Sequence, residues 1–169
     1  MRPTPGKVVM ALFQILGSVE GYKVLELFAG TGRITDKALA GGAVSVHLVE
    51  KSRQGVAKLK QKLKNRGNVL IYSMDVRRAI PLLKKRGNRY DLVFADPPYE
   101  KGWLGWLTIL AADDVTELLK GNGLMVIEHS IRENPPEDGA GGLALVQTRR
   151  YGDTCLSFFR KDTGKEENA

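Results

Sequence analysis

What most limits the folds open to this chain is a repeated switch of hydrophobic period. Short apolar runs alternate with stretches whose apolar residues recur every three or four positions. Lys23–Phe28 (K-V-L-E-L-F) is flanked by glycines and reads as a buried strand. Helical residues follow Gly32 and stop at Gly41-Gly42, and a second strand runs from Val44 to Glu50. Ser52 can cap a helix to about Asn65, with Val56, Leu59 and Leu63 inward. Strand three is Val69–Tyr72, and a weak helix over 76–86 is expected to be kinked or delayed by Pro81. Asp91–Ala95 is strand four, 104–120 is helical with a break near Asp113, and Leu124–Glu128 is strand five. Ahead of all this, Thr4-Pro5 suits a helix start, and Val8, Val9, Leu12, Ile15 and Leu16 repeat at helical spacing up to Gly17.

After strand five the pattern changes. Residues 133–142 are rich in Pro and Gly, and strands at 143–150 and 154–160 are joined by Tyr151-Gly152-Asp153, a hairpin signal. The expected fold is therefore α/β: a single doubly wound, mostly parallel seven-stranded sheet, Rossmann-like, ending in an antiparallel hairpin. Its ligands belong at the C-terminal ends of the strands. With 169 residues, one domain over 1–161 is expected, including an N-terminal helical segment at 1–20 and a flexible tail at 162–169.

Composition narrows the setting. The single cysteine, Cys155, excludes a disulfide framework and a cysteine-rich zinc site. There is no run of 18 apolar residues and no cleavable apolar leader, so a cytoplasmic protein without a membrane partner is expected, most simply a monomer. The net charge is +7, but residues 51–89 hold 13 basic groups against one acid, Asp75, which makes that stretch +12. Such segregation suggests a polyanion-facing side, although basic runs are also ordinary solvated helix faces.

Four places just past strand ends carry candidate chemistry. The first is Glu26-Leu27-Phe28-Ala29-Gly30-Thr31-Gly32, where glycines permit a close ligand and the next helix offers unpaired N–H groups; a tight turn without a ligand would read the same. A dinucleotide fingerprint would need a third glycine, and position 35 is Thr. The second is Glu50, spaced to accept ribose hydroxyls or else to cap the helix near Ser52. The third is Asp75, able to accept from an adenine amino group or to cap a helix. The fourth and sharpest is Asp96-Pro97-Pro98-Tyr99. Two prolines stiffen this loop and keep Asp96 extended. A carboxylate, a carbonyl and an aromatic ring then suit a planar aromatic amine: Asp96 and the Pro97 carbonyl accept its N–H bonds, and Tyr99 stacks.

With these residues in view, the chain resembles the class I S-adenosylmethionine-dependent amino methyltransferases, through E-L-F-A-G-T-G, V-E at 49–50 and D-P-P-Y at 96–99. R-P-T-P-G-K-V-V-M-A-L-F-Q-I-L-G at 2–17 and R-R-Y-G-D-T at 149–154 are similar to the RsmD-type family, which methylates guanine N2 in small-subunit ribosomal RNA. The resemblance implies that Glu26 and Phe28, Ala29, Gly30, Thr31 and Gly32 hold the methionine part of S-adenosylmethionine. It implies Glu50 on the ribose, Asp75 near the adenine, and Asp96, Pro97, Pro98 and Tyr99 as the catalytic loop. Family members usually begin with a short basic hairpin ahead of the R-P-T stretch, whereas here Arg2 follows Met1; that bears on RNA affinity and target, not on the cofactor site.

The expected partner is ribosomal RNA or the small ribosomal subunit, bound through phosphates by the 51–89 segment, Arg149 and Arg150. The target base must be unpaired or flipped. Trp103 or Trp106 could help form a base pocket, with Trp106 better suited to the core. His47 reads as packed within strand two, and His129, past strand five, as a minor site candidate. The competing readings are a DNA adenine-N6 methyltransferase, a protein-glutamine methyltransferase, an NAD-linked oxidoreductase and a nucleic-acid-binding module with a vestigial site. The short length and the missing third glycine weigh against the first and third of these.

Overall fold

The computed structural model describes residues 5–137 and 141–162. Helix α1 (Pro5–Leu16) leads into β1 (Lys23–Leu27), α2 (Thr35–Ala40), β2 (Ser45–Glu50), α3 (Arg53–Lys62), β3 (Val69–Ser73), α4 (Val76–Lys85) and β4 (Tyr90–Ala95). A single turn α5 (Trp103–Gly105), a π-helical turn (Trp106–Leu110) and α6 (Ala112–Leu118) then precede β5 (Leu119–Ser130), β6 (Leu143–Tyr151) and β7 (Thr154–Lys161). The seven strands form one sheet in the order β3-β2-β1-β4-β5-β7-β6. Strands β1 to β5 pair in parallel, and β7 pairs antiparallel with both β5 and β6. The strand order reverses between β1 and β4, which opens a crevice beyond their C-terminal ends.

Both faces of the sheet are buried, which is why its inner strands are mostly apolar. Val24, Leu48, Phe94 and Val126 face a layer containing α1, α2 and α3. Their alternate neighbours Leu25, Val49, Ala95 and Ile127 face α4 and α6. Consequently α3 and α4, which carry most of the 51–89 charge, lie on opposite faces and wrap the β3 edge rather than forming one flat patch.

Several expectations on element boundaries are corrected. Pro81 neither delays nor interrupts α4, which starts at Val76 under the Asp75 cap and runs through it; Pro81 and Arg77, whose carbonyl loses its partner, are both exposed. The break expected near Asp113 falls at Ala111, after the π turn. Helix does not persist to 120, because Leu119 already pairs with Tyr90 and Leu124 with Leu92, with a bulge between them. Lys120-Gly121-Asn122-Gly123 supplies that bulge; a Cβ on Gly123 would lie 2.9 Å from the Tyr90 carbonyl oxygen. Asp162, expected in a loose tail, donates its N–H to the Gly142 carbonyl at 2.6 Å. The helix cap expected at Thr4 and the tail at 163–169 lie outside the described residues. Among the described residues no helix is long and apolar enough to cross a membrane.

Candidate active site

The turn after β1 is built on left-handed backbone. Gly30 and Gly32 sit at φ of 56° and 75°, and Phe28 adopts φ of 55° despite its side chain. Gly32 is further required because a Cβ there would come within 3.1 Å of Leu59. The turn is tied to its surroundings at three points. Ala29 N–H donates to the Val49 carbonyl (3.0 Å), Gly30 N–H to Glu50 Oε1 (2.8 Å), and Lys62 Nζ to the Thr31 carbonyl (2.9 Å).

Glu50 closes β2 with each oxygen engaged once, Oε2 accepting from Ser52 N–H at 2.8 Å. Each carboxylate oxygen keeps a second lone pair for a ligand hydroxyl. Gly55 makes room for this side chain, since a Cβ at 55 would meet Glu50 Cγ at 3.0 Å. Asp75 is the N-cap of α4: Oδ1 accepts from Arg77 N–H at 2.8 Å, and the Arg77 guanidinium grips both oxygens at 3.1 Å. That ion pair holds the Asp75 carboxyl below its usual range. Arg77 also lies over the Trp103 ring, 5.2 Å from its centroid, and Trp103 meets Phe28 edge to face at 4.8 Å.

These elements enclose a cavity of about 450 Å³, lined among others by Phe28, Glu50, Asp75, Asp96, Pro98 and Trp103. That volume is in the range of small-molecule sites. Carboxylates at 50, 75 and 96 beside an aromatic wall can hold a ligand bearing hydroxyls, a flat heterocycle and an amine. Trp103 lines the cavity, whereas Trp106 packs against the core beneath it at 5.5 Å from Trp103.

Glu26 and Tyr99 occupy other positions. Glu26 is fully buried, accepting from Thr35 Oγ1 at 2.8 Å and from Ile34 N–H at 3.4 Å; it braces the start of α2 and does not line the cavity. Burial pushes its carboxyl up to about 7. Tyr99 is half-buried, its hydroxyl 2.8 Å from Thr154 Oγ1 on β7, and its ring is not part of the cavity wall. His129 lies within β5, not past it, because β7 extends the pairing to Ser130. Its ring nitrogens meet the Ser130 carbonyl and Ser157 Oγ at 2.9 and 2.7 Å, so it is a packing residue. His47 is likewise buried, with Nδ1 2.8 Å from the Tyr90 hydroxyl.

Sequence reasoning missed two residues. Arg33, just after the glycine turn, donates from Nη1 to Asp96 Oδ2 at 2.5 Å and to Glu128 Oε2 at 2.6 Å. Glu128 is buried near the end of β5. A lone acid directly after the apolar run Leu124–Ile127, still inside the strand, was the available signal, because a buried acid needs a partner. The other Asp96 oxygen, Oδ1, is buried and accepts no hydrogen bond among the described residues.

The chain is similar to known proteins over nearly its full length. A Bacillus subtilis protein named "Putative rRNA methyltransferase YlbH" is 30% identical over 164 residues, spanning 95% of this chain and 88% of its own. The Ribosomal RNA small subunit methyltransferase D of Escherichia coli K12 is 30% identical over 181 residues, spanning 100% of this chain and 84% of its own. A hypothetical protein of Thermus thermophilus superposes with a TM-score of 0.74 at 26% identity, over 94% of this chain and 88% of that one. The family model described as conserved hypothetical protein 95 matches residues 1–160, and the chain belongs to that family.

Proposed function

We propose that this protein transfers a methyl group from S-adenosylmethionine to the exocyclic amine of an RNA base, guanine N2 of small-subunit ribosomal RNA. The observation that carries the reading is Asp96. Among the described residues its Oδ1 is a buried acceptor without a donor, and Asp96 lines a cavity fitted for a nucleoside. An acceptor kept dry and unsatisfied costs stability unless a ligand completes it. The names of the B. subtilis and E. coli relatives support ribosomal RNA as the substrate.

The cavity fits the cofactor. Glu50 is free to accept ribose hydroxyls, Trp103 and Phe28 offer apolar walls for adenine, and the Phe28–Gly32 turn presents backbone to the methionine end. Asp75 reaches an adenine amino group where Arg77 yields. When bound, S-adenosylmethionine supplies an electrophilic methyl on a sulfonium. The residues of this chain do the rest by orientation. An aromatic amine is a weak nucleophile because its lone pair is delocalised into the ring. Asp96 Oδ1 and the Pro97 carbonyl, accepting its two N–H bonds, favour the pyramidal nitrogen that exposes that pair. Transfer of the methyl from the bound cofactor, with the thioether as leaving group, would place positive charge on that nitrogen, and Asp96 would gain interaction energy as it develops. The nitrogen then loses a proton to water.

Phosphates are held by exposed basic groups of 51–89 and by Arg149 and Arg150, which lie on the β6 end nearest the site. The protein acts in the cytoplasm as a monomer. The test is labelled-methyl transfer to ribosomal RNA, naked and in particles, followed by nucleoside analysis. N2-methylguanine in the RNA is the expected product; N6-methyladenine, or no RNA product, overturns the assignment. Asp96→Ala is expected to cut transfer by at least about a hundredfold with cofactor binding nearly intact, as isothermal titration would show.

A further inference from the structure

We propose that Arg33 and Glu128 are positioning residues for Asp96: together they clamp one of its oxygens and leave the other for the substrate amine. The inference rests on the methyl-transfer reading and deepens it. Arg33 Nη1 is shared between Asp96 Oδ2 and Glu128 Oε2, and Nη2 reaches Glu128 Oε1 at 3.3 Å. The three side chains come from three separate places: the β1–α2 connection, the loop after β4, and β5. They meet with side-chain exposures of only 16%, 16% and 4%. A monodentate grip on Oδ2 fixes the plane of the Asp96 carboxylate and so sets where Oδ1 points.

The charge count gives the arrangement a function beyond stapling. One guanidinium and two carboxylates leave the buried cluster at −1 when both acids are ionised. A neutral amine that becomes cationic as the methyl arrives brings the cluster to neutrality, so the stabilisation is greatest in the transition state. A purely structural pair would need only one acid for its arginine.

Glu128 also makes the clamp sensitive to pH. Burial, and then the neighbouring Asp96, push its carboxyl well above the usual carboxylate range while Arg33 opposes the rise. The charged groups facing it are Arg33 and Asp96, with Glu26 beyond Arg33. From β7 its register partner is the uncharged Leu156, and α1 packs on the same face with Val8, Val9 and Leu12. Once protonated, Glu128 donates to the Asp96 carboxylate and competes with the amine for it. Deprotonation returns that carboxylate to the substrate, so turnover rises with pH.

The test compares kcat and KM of the full-length protein with Glu128→Gln and Arg33→Lys from about pH 5.5 to 9, beside thermal unfolding. For the parent, kcat is expected to rise to a plateau with an inflection above the ordinary carboxylate range. Glu128→Gln, whose amide donates to Asp96 at every pH, should lose that inflection and run at least about tenfold slower. Its KM for S-adenosylmethionine should change by less than about twofold. Arg33→Lys, which weakens the cation's hold on Glu128, should move the inflection to higher pH, and this keeps the question open to test if Glu128→Gln does not fold. An active parent whose variants keep its kcat and its inflection, losing only melting temperature, overturns the positioning role alone. A parent that methylates no RNA overturns the proposed function itself. Carboxyl NMR of Glu128 gives a readout free of turnover: titration in the ordinary carboxylate range would overturn the pH sensitivity assigned to Glu128.

Discussion

Gly55 shows how far the site depends on single atoms. It stands in the first turn of α3, where alanine would ordinarily add about 0.5–1 kcal/mol of helix stability. Yet its missing Cβ is the space in which Glu50 lies, 3.0 Å away from where that carbon would be. Gly55→Ala is therefore expected to keep or raise the melting temperature while weakening S-adenosylmethionine binding by about fivefold, or about 1 kcal/mol. Calorimetric titration beside thermal unfolding separates the two effects, and unchanged affinity would remove Glu50 from the cofactor. The sequence pointed to Glu50 and to the Asp96 loop because both end apolar strands. It could not show that Tyr99 turns to Thr154 or that Glu26 turns to Thr35, since side-chain direction is decided by what packs alongside.

Each connection at the sheet's C-terminal rim does two jobs. Asp75 ends the β3 connection and caps α4, and the same residue lines the cavity. Asp75→Ala is expected to cost about 1 kcal/mol in denaturant unfolding, with Asp75→Asn recovering most of it because an amide oxygen still caps. Because Arg77 lowers this carboxyl, its contribution is present at neutral pH and fades as the solution is acidified through the carboxylate range. Equal losses for Asn and Ala would mean the ion pair, not the cap, holds the helix. Helix and strand order were legible from periodicity. The bulge at 120–123 was not, because it arises where β5 pairs with β4, a contact distant in sequence, and periodicity carries no mark of the π turn at Trp106–Leu110.

Over the full molecule, charge and protons are placed by the sheet. Helix N-termini in this fold lie at the rim that holds the site, and their C-termini lie at the far end. Arg53 and Arg78, near the starts of α3 and α4, are exposed and form no ion pair among the described residues, as are Lys85 and Arg86 at the far end of α4. Replacing Arg53 and Arg78 with Ala should lower the log–log salt slope of RNA binding by about 2. The same change at Lys85 and Arg86 should leave it unaltered, and equal effects would mean the segment acts as an undirected cloud. Glu26 bears on stability. Its folded carboxyl is raised from 4.5 to about 7, so the fold holds a proton that the unfolded chain releases. Its contribution is intact at acid pH and is lost as pH rises between those values, by at most about 3 kcal/mol. Glu128 shifts the same way, whereas His47, lowered to about 4, loses stability on acidification. The unfolding free energy of Glu26→Gln minus that of the parent isolates Glu26 and should grow from about pH 5 to 7.5; parallel curves would mean Glu26 titrates as an ordinary carboxylate.

The amino-acid order alone settled the α/β class, the succession of strands and helices, and the four rim positions, because periodicity and glycine or proline turns are local properties. Three things were left to the folded chain: the union of Arg33, Asp96 and Glu128, the space Gly55 yields to Glu50, and the division of the basic segment between two faces. Each joins residues from different strands or helices, and only the pairing order of the sheet brings those elements within a few ångströms of one another.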